Sequence, residues 1–163
     1  VKTSTKSAVA VQFDPHWQTI MECAALEVFE MMANARLEIS ATPGSPQPEG
    51  GLTAMVGMAG ALCGMTTIRC SPETASRLAA LMLGEQAASN PSTSSDALGE
   101  LCNMVAGNFK AKVSTLGEHC FLSVPTVIRG ESYSLGTAEP VESVNVVLNY
   151  SGQPIFISLV VDS

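Results

Sequence analysis

The stretch DALGELCNMVAGNFKAKV, residues 96–113, has the periodicity of a buried helix yet carries two glycines, Gly99 and Gly107, beside Glu100 and Asn103. An interior glycine costs about 0.5–1 kcal/mol relative to alanine, because backbone freedom is lost and no side chain packs. At about 100° per residue the stretch divides into two surfaces. Leu98, Leu101, Cys102, Val105, Phe109 and Val113 fall on one side; Asp96, Gly99, Glu100, Asn103, Gly107, Lys110 and Ser114 fall on the other. On this reading the glycines lie off the core stripe, next to an acid and an amide, and such a face is shaped for the approach of another backbone. Glu-x-x-Asn is a short motif, and a polar helix face is in the first instance solvated surface. The rest of the chain has to decide.

The chain has 163 residues, enough for one domain with a real core, and its 46% hydrophobic and 14% charged content is that of a globular protein. Eight Lys and Arg against fifteen Asp and Glu give 8 − 15 = −7. That excess of acid argues against a nucleic-acid or anionic-membrane surface, both of which need clustered cations. The five cysteines (Cys23, Cys63, Cys70, Cys102, Cys120) are odd in number and form no Cys-x-x-Cys pair, so a reduced, cytoplasmic setting is expected. Cys23 and Cys102 fall in apolar helical patterns and read as small hydrophobes. No apolar run reaches the roughly 18 residues of a membrane span, and the opening VKTSTKSAVAVQF does not read as a signal peptide. His16 and His119 lack the neighbours of a zinc site, and Cys120 beside His119 has the wrong geometry for a nucleophile and its base.

Outward from the central helix, AVAVQF (residues 8–13) reads as a strand, and HWQTIMECAALEVFEMMANARLEI as a helix through Trp17, Ile20, Ala24, Val28 and Met31. TPGSPQPEGG is a loop. The apolar runs on either side of Ala59-Gly60 predict a hairpin. SPETASRLAALMLGE predicts a short helix with Ser71 as N-cap, Pro72 at its first position and an end near Gly84. QAASNPSTSSD reads as an exposed connection, with Ser95 or Asp96 capping the central helix. In CFLSVPTVIRG, Pro125 cannot donate to a ladder and predicts an edge or a bulge. ESVNVVLNYSGQPIFISLVVD predicts a second hairpin around Ser151-Gly152. Setting Gly60 against Gly152, and Glu22 against Glu100, matches the halves as two helix-plus-hairpin units, about 8–84 and 94–163, of one domain spanning 1–163. The expected class is therefore α+β, two layers, with long helices on a largely antiparallel sheet. Under that match Ala25 stands in the place of Asn103 and Phe29 in that of Gly107, with Met21 and Met32 alongside, so this face of the first helix is expected to be buried and to carry no site.

GELCNMVAGN on the central helix, SVPTVIRG after it, MAGALCGMTTI in the first hairpin and SRLAALMLGE between them resemble the CheC/CheX/FliY group of chemotaxis phosphatases, and within it the CheX members, which carry one Glu-x-x-Asn signature. The likeness runs from about Phe13 to Val161. It implies a pseudo-symmetric fold and dephosphorylation of a CheY-like response regulator in two-component signalling. It further implies that Glu100 contacts a regulator lysine while Asn103 positions the attacking water, with Asp96, Gly99, Gly107 and Lys110 around them as partner contacts. Magnesium would sit on the regulator, leaving this chain without a metal or cofactor of its own, and the working form would be a homodimer joined at sheet edges.

The chemistry suits these residue types. An aspartyl phosphate is already a reactive acyl phosphate, so a helper has mainly to orient water in line with phosphorus. A neutral amide offers a donor and an acceptor without repelling the anion. The same fold also serves flagellar switch proteins, so a non-catalytic receiver-binding or switch-like module is the rival reading.

Overall fold

A computed structural model describes residues 11–40, 50–133 and 142–162. Among them, three helices, α1 (Trp17–Ala33), α2 (Pro72–Leu83) and α3 (Pro91–Lys112), form one layer. The other is a seven-stranded antiparallel sheet of β1 (Glu38–Ile39), β2 (Gly51–Gly60), β3 (Gly64–Cys70), β4 (Cys120–Leu122), β5 (Thr126–Gly130), β6 (Glu142–Tyr150) and β7 (Gln153–Val161). The order is β1-β6-β7-β3-β2, with β4 and β5 following one another along the far edge of β2. This is the expected α+β class.

Alternation along each strand decides which face the helices cover. Ala54 pairs with Ile68, Ile68 with Ile157 and Ile157 with Val146, an apolar row crossing the sheet. All four are buried, as are Leu52, Val56, Leu148, Ile155 and Leu159 on the same side. Against them pack Met21, Val28 and Phe29 of α1 and Leu98, Leu101, Val105 and Phe109 of α3. Each large aliphatic side chain so buried contributes about 1.5–3 kcal/mol. The rings of Phe13, Trp17 and Phe109 meet edge to face at centroid separations of 5.5 and 5.8 Å, tying the start of α1 to the end of α3. Each long helix lies over the hairpin of the opposite half, α1 on β6 and α3 on β2.

Both hairpins form, the second where the sequence places it and the first with its turn at residues 61–63, just beyond Ala59-Gly60, which end β2. Ser151 and Gly152 have φ of 49° and 83°, the left-handed pair that a two-residue hairpin loop requires. In α2, Ser71 Oγ accepts the Thr74 N–H at 3.1 Å with Pro72 following, and the helix closes at Gly84. Other boundaries differ from the sequence reading. Val11 to Phe13 are not a strand, although the Val11 N–H donates to the Ala61 carbonyl, and residues 8–10 lie outside the described residues. α1 stops at Ala33, where Asn34 takes a left-handed φ of 47°, and Glu38–Ile39 form a strand against β6. Most of the loop TPGSPQPEGG falls outside the described residues.

The central helix also begins earlier than Ser95 or Asp96. Asn90 caps it, its side-chain oxygen accepting the Ser92 N–H at 3.0 Å, and Pro91 occupies the first position. Asn-Pro is the same cap-then-proline signal as Ser71-Pro72, hidden here in a polar run of serines. Met31 and Cys23 are exposed, not core, because α1 presents its other side to the sheet.

Candidate active site

The middle of α3 holds the polar row. Gly99, Asn103 and Gly107 follow one another at four-residue spacing, about 6 Å apart along the axis. Asn103 and Gly107 are half-buried; Asp96 and Glu100 are exposed; Lys110 is half-buried one turn further on. The opposite side of the helix is fixed by its core residues and by Cys102, whose thiol points at the carbonyls of Ala54 and Thr66 at 3.6 Å each. Burial pushes that thiol up to about 12, so it is a packed hydrophobe and not a nucleophile.

Two asparagines in the stretch have different employment. Asn108 Nδ2 donates to the Ala24 carbonyl at 3.2 Å and to Glu27 Oε2 at 2.9 Å, and Lys112 Nζ donates to Glu27 Oε1 at 2.9 Å. Those bonds join α3 to α1. They hold the Glu27 carboxyl below its ordinary range, chiefly through Lys112 and then Asn108. Asn103 and Glu100, by contrast, have no side-chain hydrogen-bond partner among the described residues. An amide and a carboxylate held by a rigid helix and not engaged within the chain are available to something outside it.

The glycines separate on inspection. A Cβ on Gly99 would stand 3.4 Å from both Pro125 Cβ and Val127 Cγ2, and Gly99 is buried. The expectation that both glycines lie off the packed surface is therefore corrected: Gly99 lets β5 close onto the helix. Gly107 is more open, with only Leu122 Cδ1 in ordinary contact at 3.9 Å.

Leu122 and Pro125 bracket a bulge. Met58 pairs with Leu122 and Met55 with Thr126, so the outer strand spends one residue more than β2 over this interval. Ser123 secures it: its N–H donates to the Gly57 carbonyl at 2.9 Å and its Oγ accepts the Gly57 N–H at 2.8 Å. Further along, Arg129 donates to the Pro91 carbonyl at 2.7 Å and to Ser95 Oγ at 3.1 Å, pinning β5 to the first turn of α3. With Leu122 beside Gly107 and Pro125 beside Gly99, the Ser123–Val124 segment runs along the stretch of α3 between those glycines, on which Asn103 lies. The sequence predicts an edge or a bulge at Pro125 but not the wall it makes; the signal is a proline inside an otherwise regular strand.

α1 does not repeat the acid-and-amide row, and the burial pattern matches the two helices one residue away from the expected register. Its buried Met21, Ala24, Ala25, Val28 and Phe29 superpose on buried Leu98, Leu101, Cys102, Val105 and Ala106. In that register Cys23, Leu26 and Glu30, rather than Glu22, Ala25 and Phe29, stand where α3 has Glu100, Asn103 and Gly107. The burial expected of Met21, Ala25 and Phe29 is observed.

Three helices on a seven-stranded antiparallel sheet, with one acid-and-amide row on the central helix, define the CheC-like fold class. The family model for the chemotaxis phosphatase CheX matches residues 52–149, and the chain belongs to that family. The "CheY-P phosphatase CheX" of Thermotoga maritima is 31% identical over 85 residues, which are 52% of this chain and 55% of that protein. The chain thus matches about half the length of this relative. Among solved structures, the chemotaxis protein CheX of Vibrio vulnificus superposes with a TM-score of 0.78 at 20% identity, covering 93% of this chain and all (100%) of that one. The CheX of a CheX–CheY–BeF3–Mg2+ complex from Borrelia burgdorferi gives 0.76 at 22% identity, covering 93% and 100%.

Proposed function

We propose that this protein accelerates hydrolysis of the aspartyl phosphate on a CheY-like receiver domain. Water attacks phosphorus, the bond to the aspartyl oxygen breaks, and inorganic phosphate and a free carboxylate leave. Asn103 enters the receiver site and orients that water, its amide oxygen accepting a hydrogen bond from the water's O–H while the side chain remains neutral beside the phosphoryl group. Glu100, one turn earlier and exposed, docks on a receiver lysine at the rim, and Asp96, Gly107 and Lys110 border the contact. The magnesium ion belongs to the receiver in this reading, which draws support from the composition of the Borrelia complex.

The observation that carries the proposal is that Glu100 and Asn103 project from a helix anchored on its other side, with neither side chain bonded within the described residues. Family membership and the Thermotoga relative's activity support the same reaction. The test is release of inorganic phosphate from phosphorylated receivers. Wild type should speed it, Asn103→Ala should not, and Glu100→Lys should act only at high receiver concentration. Full activity in Asn103→Ala on every receiver that the wild type accepts refutes the mechanism. The assembly proposed with it is a homodimer through a sheet edge, and a monomer by light scattering at micromolar concentration would oppose that part.

A further inference from the structure

Val124 is 85% exposed, a branched apolar side chain at the crest of the β4–β5 bulge. An isolated apolar residue on a surface needs no explanation. This one sits on a backbone segment fixed by hydrogen bonds. The bulge adds one residue to an edge strand, Ser123 closes it through two bonds to Gly57, and Val124's own carbonyl accepts the Ser123 hydroxyl at 3.0 Å. Leu122 and Pro125, which flank the pair Ser123-Val124, are the residues that lean on the helix beside Gly107 and Gly99. Val124 lies between them and is exposed, alongside the stretch of α3 that carries Asn103.

We infer that Val124 is a docking and specificity residue of the phosphatase site: it packs on an apolar patch of the receiver that borders the phosphorylated aspartate. The inference rests on the reading of Glu100 and Asn103 given above. For the amide of Asn103 to hold a water at phosphorus, it must come within about 2.6–3.2 Å of that water. Asn103 is half-buried on the turn between Gly99 and Gly107, and Val124 is 85% exposed on the segment between the residues that meet those glycines, so a partner that reaches the amide also meets Val124. A polar residue there would keep water at the rim; valine removes it and shields the attacking water from bulk exchange. Glu100 on the solvent side and Val124 on the strand side then form the two edges of one contact, ionic and apolar.

The experiment measures kcat and KM for a phosphorylated CheY-type receiver with wild type, Val124→Ile, Val124→Ala and Val124→Asp, together with Kd for the same receiver loaded with beryllofluoride and magnesium. The side chain is exposed, so the variants should keep the wild-type circular dichroism and melting temperature. Val124→Ala should raise KM and Kd about fivefold to tenfold with kcat within about twofold, as expected for losing two buried methyl groups at a contact. Val124→Asp should raise both more than about tenfold, since it sets a carboxylate beside an anion. Val124→Ile should restore wild-type values. Unchanged KM and Kd in both Val124→Ala and Val124→Asp, with Asn103→Ala inactive and Glu100→Lys weakened, overturns this inference alone. A fall in kcat at unchanged KM also overturns it. An active Asn103→Ala overturns the underlying reading instead.

Discussion

α1 and α3 each lay an apolar side on a hairpin from the opposite half of the chain, but the edge strands beside them are built differently. Next to α3 run β4 and β5, bulged at Ser123 and tied to the helix by Arg129. Next to α1 is β1, two residues long, paired with β6 only at Leu148 and Asn149. α3 keeps glycine where its wall comes closest and an amide midway between the two glycines. α1 has Cys23, Leu26 and Glu30 in the matching row, and beside them a shallow hollow lined by Leu26, Glu30 and Leu37. Shared packing leaves the two helices interchangeable as layers of a core. α3 adds two features that α1 lacks: small residues facing a wall, and an amide on the turn between them.

That contrast can be broken first at its strongest point. Asn103→Ala should lower receiver dephosphorylation about a hundredfold or more, whereas Glu22→Ala on α1 should leave turnover nearly unchanged, both read by phosphate release. A comparable loss in the two would mean that both helices act.

The next test exchanges the residue types. Ala25 is wholly buried, so Ala25→Asn overfills the core and strands an amide there. It should destabilise by about 2–4 kcal/mol in chemical denaturation. Asn103→Ala should be within about 0.5 kcal/mol of wild type, because the position is half-exposed and helix propensity favours alanine.

Gly107→Ala is expected to stabilise by about 0.5–1 kcal/mol, since its new methyl meets only Leu122 at ordinary contact. If Gly107 borders the receiver, the same variant raises KM. Gly99→Ala should gain less stability, because at 3.4 Å Pro125 and Val127 must yield.

The smallest effect concerns the clasp between the helices. Glu27 is held below its ordinary range by Lys112 and Asn108, so the folded protein takes up its proton less readily than the unfolded chain. Its contribution is present above the ordinary glutamate range and fades as pH falls through the depressed value. The stability difference between wild type and Glu27→Gln should therefore shrink on acidification, as followed by thermal melts from neutral pH to about pH 3. A constant difference would mean that the clasp contributes nothing through charge.

Much of this molecule was legible beforehand where a local signal had one interpretation. Ser71-Pro72 and Ser151-Gly152 each determine their own backbone, and both formed as read. Glu100 and Asn103 stood out because they interrupt an apolar period. The start of α3 was missed because Asn90-Pro91 sits among serines that also favour turns. The register of the two helices slipped by one residue because a matching pair of glutamates says less than the burial of five side chains. Gly99 was misjudged because its reason is Pro125, a contact across 26 residues that no helical wheel contains. Cys23 follows the same logic: periodicity locates a stripe but not which of its borders meets the sheet.

The crossing of the halves has a kinetic consequence. Glu38 pairs with Asn149 and Ile39 with Leu148, and α1 rests on β6, so β1 and the sheet-facing side of α1 find their sheet partner only near the end of the chain. β3 likewise has β7 for its second neighbour. During synthesis, residues up to about the end of α2 would emerge with one hairpin formed and a helix whose apolar side has nothing to cover it. Contacts of such sequence separation slow folding, because long loops must close before any burial is gained. Neither half should hold a stable structure when expressed alone, and two separately made halves should acquire near-native circular dichroism only on mixing.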